Sequence, residues 1–265
     1  MILKASVIEM NGELRKKIEL PELFSLPLRP DLVSRTFWLL HSHSLQPYGR
    51  DTMAGERTSA VSWQTGRGVA RVPRVKGDRH PRAGQAAGVA SVVKGRLAHP
   101  PKSEKVIFHK INKKEKRMAL NYAIAFTGNR DAVISRGHKI AKINTPIVVS
   151  DEIERISKTS ELKSFLLKLG LEEELKRLYG GIKKQSGKAR MRGRSYRERK
   201  GPLIVVTNKR GIDKAASSIP GVDVVSIDDL SVLQLAPGGV SGRLTLWTES
   251  SIEMLRSKEE SKIEA

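Results

Sequence analysis

Apolar positions follow two different rhythms along the chain. Ile2 to Ile8 and Leu14 to Leu20 alternate on either side of Asn11-Gly12, a dipeptide that readily takes the positive φ angles of a tight turn, which predicts an opening hairpin. Pro30 and Asp31 then precede Val33, Phe37 and Leu40 at helical spacing, predicting a helix to about Ser44. Asn112, with Glu115 three positions on, predicts a capping box ahead of a buried helix through Met118–Phe126, closed by Gly128. Pro146–Val149 reads as a strand. Helix signals follow at Asp151 and Ser160, with a face of Leu162, Phe165, Leu166 and Leu169 stopped by Gly170, and a short helix over Leu171–Tyr179. Leu203–Val206, Val222–Ile227 and Leu244–Trp247 are short β-branched runs separated by helix-compatible segments. They predict parallel strands joined by right-handed crossovers, hence an α/β class with helices on both faces of the sheet. The charged mixture at 257–265 reads as a frayed tail.

The rhythm stops twice. From Gln46 to Arg96 there is no Leu, Ile or Phe, while glycine recurs throughout. Ordinary loops rarely exceed about 12 to 15 residues, so this is an extended arm without a core, inserted into one globular domain formed by residues 1–45 and 97–256. A second interruption spans 183–200.

Charge changes the meaning of both gaps. The chain of 265 residues carries a formal net charge of +21, from 49 basic against 28 acidic residues, more than solubility requires, so a polyanionic partner is expected, by default nucleic acid. The arm contains Arg50, Arg57, Arg67, Arg71, Arg74, Lys76, Arg79, Arg82, Lys94 and Arg96 against Asp51, Glu56 and Asp78, with His80 among them. Spread along an arm, such cations can meet successive phosphates and displace condensed counterions. Arginine binds phosphate with a planar fork and stacks on bases. Tyr48 and Trp63 offer stacking surfaces. The second run holds Lys183, Lys184, Lys188, Arg190, Arg192, Arg194, Arg197, Arg199 and Lys200, with Glu198 as its acid. A solvated charge run is the usual reading of such a stretch, but two runs leaving one domain favour a shared polyanion.

Other chemistry is sparse. Gly66-Arg67-Gly68 lacks the third glycine of a dinucleotide fingerprint, and no phosphate loop ends in Gly-Lys-Ser/Thr. His41 and His43, two apart on a helix, point to different faces and do not make a metal pair. His80, His99, His109 and His138 have no carboxylate cluster nearby in sequence. Asp228 and Asp229 follow a strand, where α/β enzymes place acids, but helix capping before Leu230 explains them more simply. No catalytic residue, metal or cofactor is expected. With no cysteine, disulfides are excluded, and no apolar run reaches the roughly 18 residues of a spanning helix. Met1–Met10, broken by Lys4 and Glu9, is not expected to be a targeting signal. An RNA-modifying enzyme using Asp228, and a DNA-compacting protein, are the rival readings.

The stretch Ser62-Trp63-Gln64-Thr65-Gly66-Arg67-Gly68-Val69-Ala70-Arg71-Val72-Pro73-Arg74, continuing to Arg82-Ala83-Gly84-Gln85-Ala86, resembles the arm of the ribosomal protein four family of the large subunit, archaeal and eukaryotic type. Ala98–Lys102, Gly193–Arg197 leading into Lys200–Leu203, and Leu235–Gly239 extend the resemblance over nearly the whole chain. It implies a structural protein that binds large-subunit (23S) rRNA and supports subunit assembly. The arm, with its tip at Trp63 to Arg82, would reach the wall of the nascent-polypeptide exit tunnel. Partners would be that rRNA, neighbouring large-subunit proteins and the nascent peptide, with no membrane, in the cytoplasmic ribosome. The continuation Ala86-Ala87-Gly88-Val89-Ala90 resembles the archaeal type.

Overall fold

The computed structural model describes residues 3–140 and 143–263. The start of the predicted first strand at Ile2 and the last two residues of the predicted tail lie outside the described residues. Two compact units divide the chain, Met1–His41 with His109–Ala265, and Ser42–Phe108.

The opening hairpin forms as β1 (Lys4–Ile8) and β2 (Leu14–Glu19), antiparallel, with Gly12 at φ +87° in the turn. Helix α1 (Pro30–Ser42) buries Val33, Phe37 and Leu40, the three positions its spacing selects. Two short strands follow, β3 (Ala60–Ser62) and β4 (Pro73–Val75), and then α2 (Lys113–Gly128). The predicted capping box does not close. The Asn112 side chain makes no cap bond, and Glu115 instead pairs with Arg35 at 3.3 Å, a stronger partner than a backbone amide. Helix α3 (Arg130–Ser135) has no apolar period to announce it; Asn129 starts it by accepting from the Ala132 amide at 3.1 Å.

Then come β5 (Ile147–Val149), a 3-10 turn at Asp151–Arg155, α4 (Thr159–Lys168) and α5 (Glu172–Tyr179). The second basic run is not an open loop. It holds a hairpin of β6 (Lys183–Lys184) and β7 (Tyr196–Arg197) around the short helix α6 (Gly187–Met191). The chain continues as β8 (Leu203–Val206), α7 (Ile212–Ser217), β9 (Asp223–Ser226), α8 (Val232–Leu235), β10 (Thr245–Thr248) and α9 (Glu249–Ile263). The expected tail from Ser257 is therefore helical to Ile263. Its Glu and Lys residues are good helix formers, and they prolong a helix already anchored by buried Ile252 and Leu255.

The main sheet has the order β2-β1-β5-β10-β8-β9, parallel throughout except for β2 at one edge. Residues alternate between two cores. Val148, Leu203, Val205 and Trp247 face α1, α2, α8 and α9, while Ile147, Val149, Ile204, Val206 and Leu246 face α4, α5 and α7. A sheet covered on both faces needs continuous apolar strands, which is why Leu203–Val206 shows no polar alternation.

Candidate nucleic-acid interface

The unit Ser42–Phe108 lacks a layered core, as its composition requires, but it has internal order. His43 stacks on Phe108 with ring centroids 4.0 Å apart, and the Arg50 amide donates to the Pro101 carbonyl at 3.0 Å. These contacts draw residues on both sides of the predicted arm, 46–96, into the unit. Within it β3 pairs with β4, Arg74 bridges to Ala86, and only Val75 and Ala87 among the apolar residues are buried. Backbone hydrogen bonds hold much of the segment. The Val75 amide donates to the Gln85 carbonyl at 2.9 Å and the Ala87 amide to the Pro73 carbonyl at 2.9 Å.

Trp63 follows β3 and is 37% exposed. The guanidinium carbons of Arg67 and Arg74 lie 5.3 and 5.4 Å from its ring centroid, within cation–π range. The ring expected to offer a stacking surface thus has two cations beside it and stays exposed. Arg74 also donates from Nη1 to the Gly84 carbonyl at 2.9 Å. Gly84 has φ +72°, a conformation that side chains rarely adopt, and a Cβ there would make a tight 3.2 Å contact with the indole. Arg82 is half-buried and donates to the Val93 carbonyl at 3.0 Å; its amide donates to His80 Nδ1 at 3.1 Å. Arg57 pairs with Asp51 and Arg96 with Glu56. Arg50, Arg67, Arg71, Lys76, Arg79, His80 and Lys94 are exposed. The segment presents cations outward on a backbone that holds itself.

The hairpin at 183–200 does the same in the larger unit. Lys188, Arg190, Arg192, Arg194, Arg197 and Arg199 are all exposed, and the turn is closed by the Gln185 amide donating to the Ser195 carbonyl at 2.8 Å.

The profile of the ribosomal protein L4/L1 family matches residues 18–258. The chain belongs to that family. Its large ribosomal subunit protein uL4 from Sulfolobus acidocaldarius is 45% identical over 261 residues, 98% of this chain and 96% of the relative. The Sulfurisphaera tokodaii protein is 46% identical over 99% of this chain and 97% of its own length, and that of Methanocaldococcus jannaschii 44% over 97% and 99%. The family is one of structural proteins of the ribosome, not of enzymes, and this member is of archaeal type.

In this L4/L1 family chain Asp228 and Asp229 neither converge on a site nor cap a helix. Asp229 accepts from Ser226 Oγ at 2.6 Å, Asp228 pairs with Lys258, and the capping box of α8 is made by Ser231 and Gln234. Among the described residues no His, Cys, Asp and Glu cluster could hold a metal ion, and no helix is long and apolar enough to cross a membrane.

Sequence reading misses a buried charge network at the root of the second hairpin. Glu174, fully buried, accepts from Arg177 Nε and Nη2 at 2.8 and 2.6 Å, from His138 Nδ1 at 2.7 Å and from the Lys139 amide at 2.9 Å. Burial alone would raise its carboxyl, but these bonds hold it at about 2. Burial also pushes His138 below its ordinary value, against the pull of Glu174. It is therefore neutral at pH 7 and donates from Nδ1. Arg136, burial-depressed to about 10 with Arg243 and Arg177 adding repulsion, donates to the Pro237 carbonyl at 2.6 Å. Arg243, 1% exposed, pairs with Asp223 at 2.6 Å. The network joins residues 36 and 20 positions apart, and the one local signal is a lone arginine between Gly242 and the apolar run beginning at Leu244.

Proposed function

We propose that this chain is a structural constituent of the large ribosomal subunit that binds 23S rRNA through the arm, supports subunit assembly, and lines part of the nascent-polypeptide exit tunnel. The observation that carries the reading is the arm itself. Arg50, Arg71, Lys76, Arg79 and Lys94 face solvent on a segment with two buried apolar side chains, so their charge is not used to fill a core, and Arg67 is exposed beside Trp63. Arg57, Trp63, Arg74, His80, Arg82 and Arg96 complete the arm's set, Arg74 and Trp63 by holding its shape. The second hairpin, with Lys188, Arg190, Arg192, Arg194, Arg197 and Arg199, makes a further rRNA contact. Neighbouring subunit proteins lie beside the globular domain, and the tip at Trp63–Arg82 meets the nascent peptide.

The test is site-directed crosslinking in purified ribosomes from positions 67 to 82. Crosslinks to tunnel-wall 23S rRNA and to a stalled nascent chain are expected. Adducts confined to solvent-side RNA or to other proteins would refute the tunnel placement.

A further inference from the structure

We infer that Arg177 and Arg243 are positioning residues for RNA binding by the second basic hairpin, although neither belongs to it. The inference rests on the proposed rRNA contact of that hairpin. Three consecutive carbonyls on its outgoing leg are taken by these two guanidiniums. Arg177 Nη2 donates to the Lys200 carbonyl at 2.9 Å, Arg243 Nε to the Gly201 carbonyl at 2.8 Å, and Arg243 Nη2 to the Pro202 carbonyl at 3.5 Å. Arg177 is on α5, which feeds the incoming leg, so its bond ties the two legs together. The legs also touch directly, since a Cβ on Gly181 would lie 2.5 Å from Arg199 Cδ.

Neither guanidinium can swing away. Arg177 is gripped by both oxygens of Glu174, whose remaining bonds come from His138 and the Lys139 amide. Arg243 is gripped by Asp223 at 2.6 Å and donates further to the Gln234 and Gly221 carbonyls at 3.0 and 3.2 Å. Asp223 also accepts from Lys200 Nζ at 2.9 Å. A planar fork with five fixed donors can grip both oxygens of a carboxylate and reach a carbonyl in one rigid geometry, whereas lysine's three donors radiate from a single nitrogen. Beyond this root no residue of the hairpin, 183–200, is buried. Its orientation therefore comes from the clamp rather than from packing, and a hairpin already oriented loses less conformational freedom when it meets RNA.

The test uses the full-length chain and transcribed 23S rRNA. Arg177→Lys keeps the charge and removes the fork. It should weaken binding about tenfold, the worth of about one charge-assisted hydrogen bond, with an unchanged slope of log K against log salt because the phosphate-facing cations are intact. Amide exchange at Gln185 should accelerate while that of the β8 amides stays slow. Wild-type affinity together with wild-type Gln185 protection would overturn the inference. A companion variant, Arg192→Gln with Arg194→Gln and Arg197→Gln, separates the two levels: reduced affinity with a shallower slope is expected. If it binds like wild type, the hairpin's RNA contact fails and the clamp's role with it; if it is weakened while Arg177→Lys is not, only the clamp fails. Should Arg177→Lys not fold, Asp223→Asn, which loosens Arg243 and Lys200, takes its place in the same two measurements: weaker binding with faster Gln185 exchange supports the clamp, and wild-type values in both overturn it.

Discussion

Arg74 and Glu174 illustrate how single side chains acquire roles that their charge alone does not specify. Arg74 lies over Trp63 and closes onto the Gly84 carbonyl, so it holds the arm's shape as well as adding to its charge. Trp63→Ala removes the ring and keeps every cation. It should weaken rRNA binding a few-fold, in line with the roughly 1 kcal/mol of an exposed cation–π contact, with an unaltered salt slope, as filter binding at several ionic strengths would show. The Glu174 cluster makes a pH prediction. His138 has a folded value below its ordinary one, so the unfolded chain takes up that proton first and stability declines as pH falls below about 6.5. Glu174, held at about 2, contributes stability that is complete above about 4.5 and lost as pH falls through its folded value. Thermal unfolding midpoints from pH 7 to pH 3 should fall in two stages, and His138→Gln should abolish the upper one while leaving the lower.

At the scale of elements, the strands and long helices were legible because burial imposes a period. The all-buried run Leu203–Val206 and the face of Leu162, Phe165 and Leu166 appear where the pattern places them. The short helices α3 and α6 and the hairpin of β3 and β4 were not legible, since each is fixed by a cap, a turn or backbone pairing rather than by apolar period. The arm contributes two buried apolar side chains, Val75 and Ala87. Deleting Tyr48–Lys94 should therefore leave the circular dichroism of the α/β sheet and its thermal midpoint close to the parent's, and abolish stable incorporation into the large subunit in a sedimentation assay. Undiminished incorporation would mean that the globular domain alone anchors the chain.

For the whole molecule, the +21 charge is a statement about association rather than fold. Binding to 23S rRNA should fall steeply with salt, and each neutralised arm cation in contact with a phosphate, such as Arg71→Gln or Arg79→Gln, should reduce the slope by about one. A slope unmoved by either substitution would show that residue facing away from the RNA.

By itself the sequence determined the α/β class, the presence of two basic interruptions of its apolar pattern and the expectation of a polyanionic partner, because apolar period, missing large aliphatics and net charge are local or additive properties. Only the tertiary structure decided that Trp63 is flanked by its own arginines, that Asp228 and Asp229 form no site, and that Arg177, Arg243 and Glu174 lock the root of the second hairpin. Those outcomes depend on which distant groups share a low-dielectric space, where a charge must find a partner that no periodicity along the chain announces.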